Sequence, residues 1–417
     1  MRTKNDWLDW LFSQAISAAS HSLDRIRYLF EALQLGRIAP ITIAVTGTNG
    51  KGSTVKLLEQ IYLAAGLRVA AVTSPHLLEF NERLTLNDAQ VTDVQILNAF
   101  ARVEAHRDQS RSINAFDFFH LAWFCCIEDF KPDVAIIEIG IGGRLDATNL
   151  LAIDASVITS IGLDHSEFLG DSRDSVGYEK AHLARHGCPL VCGEPDVPAS
   201  VVQVSDEIGA DLICINNEFS YEYDVDSWIW RRGSRSMDAL PIPRIMLQNA
   251  ATALMLVDAL QTKIAVDDAA IQCGLEQVYL PGRFEVTQER CEIVYDIAHN
   301  QQATQWLAEQ LLARPIQGAT YFVVGLKQMK DAAATFLPMI AIKGDWYVSG
   351  LSCNDSTEPY ELGQHLEALG VRKWYTSQKL AQNLELLMTQ VTSKDRVVIF
   401  GSFSAVQEAQ MYFEGVK

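Results

Sequence analysis

The sequence predicts an α/β protein: a P-loop-containing, mostly parallel sheet domain followed by a smaller α/β, Rossmann-like C-terminal domain. Short β-branched runs ending in Gly, Ser or Asp alternate with helical stretches along the chain. A glycine-rich turn joins the first such run directly to a helix. At 417 residues, the chain also exceeds what one hydrophobic core usually serves.

Ile41 to Val45 is the first strand. It feeds the turn Thr46-Gly47-Thr48-Asn49-Gly50-Lys51-Gly52-Ser53, after which Val55, Leu58, Tyr62 and Ala65 recur at helical spacing until Gly66 stops the helix. Arg68 to Thr73, Asp133 to Ile139, Ala155 to Ser160 and Pro189 to Cys192 read as further strands, and polar or glycine-rich residues follow the first three at once. Their ends, TSPHL, EIGIGGRLDATN and SIGLDH, fall where an open parallel sheet places its ligand crevice. Residues 194–245 are less regular and strand-rich, an insertion or subdomain edge before the helix opened by Gln248-Asn249-Ala250. The pattern restarts around Leu280-Pro281-Gly282-Arg283-Phe284, where Pro-Gly suits a hinge. Strands are expected at Ile293 to Asp296, Tyr321 to Gly325, Trp346 to Ser349, Lys373 to Thr376 and Val397 to Gly401, with a helix from about Gln301. Two domains, 1–282 and 283–417, follow from this pattern.

With 48% hydrophobic and 21% charged residues the chain is ordinary globular material. Lys and Arg number 34 against 52 Asp and Glu, leaving a net charge of −18 and no bulk positive field for a nucleic-acid backbone. An anionic ligand must therefore be held by local donors: a helix N-terminus, an arginine or a metal. The N-terminal MRTKNDWLDWLFSQ places Asp6 and Asp9 among its aromatics and does not read as a signal peptide. No apolar run reaches the ~18 residues of a membrane span. No nucleic-acid or membrane partner is expected, and the expected location is cytoplasmic. The eight cysteines show no CxxC pairing, so reduced thiols are expected.

The glycine turn carries the sharpest chemistry. Its backbone amides can close around phosphate oxygens, the helix N-terminus adds positive dipole, and Lys51 adds a point charge. Val45 stands where the common P-loop has its first glycine, and Gly52 then Ser53 where a hydroxyl follows the lysine directly. A mere tight strand-to-helix turn is the lesser alternative to phosphate binding. Ser74, Glu138 and His165 sit at strand ends where a hard cation could bind. Each has an ordinary alternative: turn chemistry for Ser74, a pair with Arg144 for Glu138, a hydrogen-bonded surface group for His165. Lys180 reads by charge pattern as a solvated helix lysine.

Taken together, the 46–53 turn, Thr73-Ser74-Pro75-His76-Leu77, residues 138–149, Leu163-Asp164-His165 with Leu169-Gly170, Glu179-Lys180-Ala181, Leu280 to Phe284, Asp296-Ile297-Ala298-His299-Asn300 and Gly401-Ser402-Phe403 form an ordered set. The set resembles the motifs of folylpolyglutamate synthase and dihydrofolate synthase, within the Mur-ligase superfamily, across residues 46 to 403. The resemblance implies an ATP-dependent amide ligase: a carboxylate attacks the γ-phosphate to give an acyl phosphate, and the amine of L-glutamate then displaces phosphate. It implies an ATP-binding domain over 1–282 and a ligase domain over 283–417, whose closure excludes water. Lys51, Lys180 and His299 are the implied catalytic residues. Thr48, Asn49, Gly50, Lys51, Gly52 and Ser53, with Asn249, Arg283 and Asp296, are implied to hold the nucleotide. Ser53, Ser74, Glu138, His165 and a carbamylated Lys180 would serve two Mg²⁺, with a monovalent cation as a further cofactor. Phe116, in a segment resembling Thr-x-Phe-Glu, would stack on a pterin, and Arg144, Asp146 and Ser402 would contact substrate. The implied substrates are dihydropteroate, reduced folates and L-glutamate, and the implied state is a monomer.

The chain departs from the family at Ile297 and Gln301, where Asp-Gly-Ala-His-Asn-Pro is usual, and at Met329, where an Asp-Lys-Asp is usual, leaving the role of Asp331 open. Rival readings are a monofunctional folylpolyglutamate synthase, a P-loop ATPase switch without ligation, and a cell-wall Mur ligase. The last is disfavoured because the glycine turn begins by residue 46.

Overall fold

The computed structural model describes residues 2–13, 22–111, 113–224 and 226–415. The chain divides into two compact units, Met1–Tyr279 and Leu280–Lys417.

In the first unit the strands are β1 Ile41–Thr46, β2 Val69–Val72, β3 Leu84–Leu86, β4 Ala89–Gln90, β5 Val134–Glu138, β6 Ala155–Ile158, β7 Pro189–Cys192 and β8 Asp211–Cys214. They form one sheet in the order β4-β3-β2-β5-β1-β6-β7-β8. The six strands from β2 to β8 in that order run parallel. At one edge β3 and β4 run antiparallel, a hairpin the strand pattern did not reveal. Its turn is Asn87-Asp88, both at positive φ (51° and 66°), a conformation Asn and Asp tolerate better than most residues.

The sheet is covered on both faces, which is why its strands read as continuous apolar runs. Ala44, Ala70, Val72, Ala135 and Ile137 pack with the helices Lys4–Ser13, Asp24–Ala32, Asp93–His106 and Ala115–Phe130. Their neighbours along the strands, Ile43, Val45, Ala71 and Ile136, pack with the helices Lys51–Ala64 and Leu247–Ala259 on the opposite face. Residues 194–245 contain a helix, Ala199–Ile208, then β8 and an antiparallel sheet of β9 Ser220–Asp224, β10 Ser227–Arg232 and β11 Arg235–Leu240. Trp228 and Trp230 share one face of β10 and are buried, each indole N–H donating to a carbonyl, of Pro241 at 2.9 Å and Ala251 at 3.1 Å.

The second unit holds β12 Glu285–Gln288, β13 Glu292–Tyr295, β14 Thr320–Val324, β15 Asp345–Ser349, β16 Trp374–Ser377 and β17 Arg396–Phe400. Their order is β12-β13-β17-β14-β15-β16, parallel except for β12. Because the last strand inserts between β13 and β14, the ends of those three strands lie side by side.

Candidate active site

In the first sheet β1 lies between β5 and β6, and Val45 is level with Glu138 on one side and Val157 on the other. The chain leaves β1 toward β2 on one side and later adds β6 on the other, a switch point where such sheets bind ligands. The glycine turn follows β1 there and is pinned to the end of β6. Thr48 N donates to the Ser160 carbonyl at 2.9 Å, Asn49 N to Ser160 Oγ at 3.0 Å, and Gly162 N to Thr48 Oγ1 at 2.9 Å. Gly47 is required by packing, since a Cβ there would lie 1.8 Å from Thr159 Oγ1. Gly50, at φ +84°, caps the helix Lys51–Ala64, and a Cβ on it would fall 2.4 Å from the Asn249 amide. Asn249 is thus packed on the turn. It does not cap its helix, Leu247–Ala259, whose N-cap is Met246. Lys51 Nζ donates to the carbonyls of Gly47 (3.0 Å) and Thr48 (3.2 Å), and Ser53 is buried in the first turn of its helix.

Glu138 ends β5, buried, and its Oε2 accepts from Ser74 N at 3.0 Å, so two of the expected metal residues are together. Arg144 does not pair with Glu138. It binds Glu179 through Nε (3.0 Å) and Nη2 (2.9 Å), next to Lys180 in sequence. His165 adopts a left-handed conformation (φ 53°) before the short helix Ser166–Leu169 and is partly exposed. Among the described residues no group of three or more His, Cys, Asp and Glu side chains converges as a metal site. A cation here would rely on Glu138, hydroxyls, waters and phosphate oxygens, a donor set that suits Mg²⁺.

Lys180 is 2% exposed. Burial drives its amine well below the ordinary lysine pKa, the nearby Lys51 charge pushes the same way, and Asp164 opposes both. A solvated helix lysine it is not.

Phe116 lies in the first turn of the helix Ala115–Phe130, its ring tip against Gly140, just beyond β5. Asp146 is buried and accepts from Thr148 N at 2.9 Å, capping a short turn. Arg25 was not apparent as part of this region. It donates to both carboxylate oxygens of Asp117 (2.7 and 2.8 Å) and to the Leu145 carbonyl (3.0 Å). This tie spans 92 residues of chain, and no local pattern signals it. Arg83 was missed likewise: it donates to His76 Nδ1 at 2.9 Å, and burial together with the Arg83 charge pushes His76 down to about 4, keeping it a neutral acceptor.

In the second unit Asp296 directly follows β13, buried, accepting from Phe284 N (2.8 Å) and Ala298 N (2.7 Å). Burial pushes its carboxyl up to about 6, against the pull of Arg283 and the two amides. The Arg283 guanidinium lies 5.1 Å from the Phe403 ring centroid, and His299 Nδ1 is 2.8 Å from the Ile297 carbonyl. Ser402 caps the helix Phe403–Phe413 and donates to the Gly325 carbonyl at 3.0 Å, joining the ends of β17 and β14. Asp331 is a helix cap, accepting from Ala334 N at 2.9 Å.

No family model matches the chain. A relative from Escherichia coli (strain K12) named dihydrofolate synthase/folylpolyglutamate synthase is 34% identical over 400 residues, covering 96% of this chain and 93% of its own. A solved structure of E. coli FolC in complex with DHPP and ADP has a TM-score of 0.93 at 31% identity, with 99% of this chain and 97% of that chain covered. A bifunctional folylpolyglutamate synthase/dihydrofolate synthase solved with Mn, AMPPNP and L-glutamate bound gives 0.93 at 36% identity, covering 99% and 98%. The likeness runs through the whole length of both chains, and with it the chain belongs to the dihydrofolate synthase/folylpolyglutamate synthase family of ATP-dependent ligases.

Proposed function

We propose that the chain joins L-glutamate to dihydropteroate, giving dihydrofolate, and to reduced folates, giving folylpolyglutamates. The observation that carries the site assignment is Lys51 on a glycine turn at the switch point, with Lys180 buried nearby. The relatives solved with ADP, AMPPNP, Mn, DHPP and glutamate support the ligand set.

In this reading Lys51 and the amides of residues 48–52 hold the β- and γ-phosphates at the helix N-terminus. A substrate carboxylate oxygen attacks the γ-phosphorus as the bond to ADP breaks, giving an acyl phosphate. The glutamate nitrogen then attacks the acyl carbon, loses a proton, and phosphate departs with the bonding pair. Positioning and charge neutralisation supply most of the rate. A divalent cation, held by Ser53, Ser74, Glu138, His165 and Lys180, would neutralise phosphate charge when bound. Lys180 suits that place once carbamylated: burial favours the neutral amine that attacks CO₂, and loss of a proton from nitrogen leaves an oxygen-donor anion. Phe116 stacks on the pterin, with Arg144 and Asp146 beside it. Asn249 contacts the nucleotide, Arg283 and Asp296 serve it from the second unit, and His299 and Ser402 act on the same reaction. The first unit is the ATP-binding domain and the second the ligase domain. A monovalent cation, a monomeric state and a cytoplasmic location belong to the same reading; the eight free cysteines suit a reducing compartment.

Purified protein incubated with ATP, Mg²⁺, L-glutamate and dihydropteroate should yield a product heavier by one glutamate residue. No mass gain removes the first activity, and a parallel incubation with a reduced folate decides the second. Nucleotide turnover indifferent to both acids and to glutamate would overturn the reading.

A further inference from the structure

Just beyond β6, both backbone polar groups of Ile161 are gripped by one ion pair. Ile161 N donates to Glu194 Oε2 at 2.8 Å, and the Ile161 carbonyl accepts from Arg173 Nε at 3.1 Å. Arg173 Nη2 donates to Glu194 Oε1 at 2.9 Å, an oxygen that Asp196 N also reaches at 3.3 Å. Arg173 is anchored further on Asp196, through the carboxylate and through the carbonyl at 2.6 Å. Glu194 is buried two residues past β7, and Arg173 opens the helix Arg173–Ala181 that carries Lys180. The residues on either side of Ile161 are those that hold the glycine turn. Ser160 accepts from Thr48 N and Asn49 N, and Gly162 bonds Thr48 Oγ1 through both its N–H (2.9 Å) and its carbonyl (3.0 Å).

We infer that Arg173 and Glu194 are positioning residues for nucleotide binding: by holding both polar groups of Ile161 they fix Ser160 and Gly162, and through them the Thr48 and Asn49 backbone. The inference rests on the phosphate-holding role proposed for the glycine turn. Such a turn binds well only if its amides are already aimed, because a loop that must be ordered by its ligand loses affinity. Glycines give the turn its shape and also its freedom, so the restraint must come from outside it. The Ile161 backbone is where that restraint arrives, from the end of β7 and from the helix of Lys180 together.

The test measures ADP affinity by calorimetry on the full chain, well below its melting temperature. In Glu194→Gln one carboxylate oxygen becomes an NH₂ group that faces either the Ile161 amide or the Arg173 guanidinium, donor against donor. ADP should bind about tenfold more weakly, the scale on which losing an outer-shell support acts, and KM for ATP should rise in step. KM for dihydropteroate should stay unchanged, because Phe116 and the loop after β5 lie on the other side of β1 from β6 and β7. A lowered melting temperature with ADP affinity unchanged would make the pair a packing feature and overturn the inference. An equal rise in both KM values, a general loosening of the fold, would overturn it too. If Glu194→Gln does not fold, Arg173→Lys decides. It keeps a charge beside Glu194 but offers one ammonium where Arg173 bonds through three nitrogens, and it should weaken ADP binding about threefold. Unchanged affinity in that variant likewise overturns the inference. A natural protein that binds no ADP would instead defeat the function proposed above.

Discussion

At the scale of single residues, environment decides chemistry, and Lys180 shows how far it can depart from residue type. Its place between Glu179 and Ala181 gives no sign of burial, because one helical position says nothing about which neighbour covers it. Replacing it by Ala should lower kcat by roughly 10²–10³-fold, the scale of losing one charge-stabilising group, and added bicarbonate should not restore the rate. Natural protein given ¹³C-bicarbonate should show a carbamate carbon signal that Lys180→Ala lacks; active protein with an unmodified lysine would contradict the assignment. Asp296 offers a second test. Its carboxyl is raised from an ordinary 3.8 to about 6, so the folded state holds its proton more tightly than the unfolded state does. Its contribution to stability is therefore complete below pH 3.8 and lost as pH rises through 6. The shift corresponds to about 3 kcal/mol. Urea unfolding of natural protein and Asp296→Asn from pH 4 to pH 7 should show their difference changing by that order in favour of the variant, and parallel curves would refute it. The residues legible beforehand were those whose motif fixes a backbone, Gly47, Gly50 and Lys51. Arg25 and Arg83 were not, because their partners are set by the fold.

At the scale of elements, the parallel strands were readable because burial on both faces favours runs rich in β-branched residues, as in Ile41 to Val45 and Val134 to Ile137. The β3–β4 hairpin was not: β3 has three residues and β4 two, too short for a period to declare itself. The helix Ala199–Ile208 was also lost in a stretch where Val201, Val202 and Val204 read equally as strand. The junction of the glycine turn with the helix Leu247–Ala259 can be tested directly. In Gly50→Ala the new methyl group meets Asn249 and the backbone is held at φ +84°, where a side chain costs about 1–2 kcal/mol. ADP affinity by calorimetry should fall about tenfold. Adding Asn249→Ala removes the overlap but leaves the backbone cost and takes away the nucleotide contact proposed for Asn249, so binding should stay below that of the natural protein. An unchanged ADP affinity in Gly50→Ala would mean that the turn does not grip phosphate through this conformation.

At the scale of the whole molecule, a chain with net charge −18 holds its anionic ligands against its own field, so the holding must be local. The groups proposed to hold phosphate, Lys51 and the amides of residues 48–52, belong with Asn249, Glu138 and Lys180 to the first unit. Each unit also closes a core of its own: Ile43, Val45, Leu58, Ala250 and Leu254 in one, Val294, Phe322, Trp346, Val398 and Phe400 in the other. A unit with its own covered sheet and core meets the physical requirement for folding alone. Residues 1–279 expressed by themselves should therefore give a cooperative unfolding transition and bind ADP and, on the role proposed for Arg283 and Asp296, bind it more weakly than the full chain. On the roles proposed for His299 and Ser402, they should form no glutamate-containing product. Calorimetry with ADP and the mass assay with dihydropteroate measure the two properties on one sample. A fragment that folds but fails to bind ADP would move nucleotide holding out of the glycine turn, and one that still ligates glutamate would take the second unit out of the reaction.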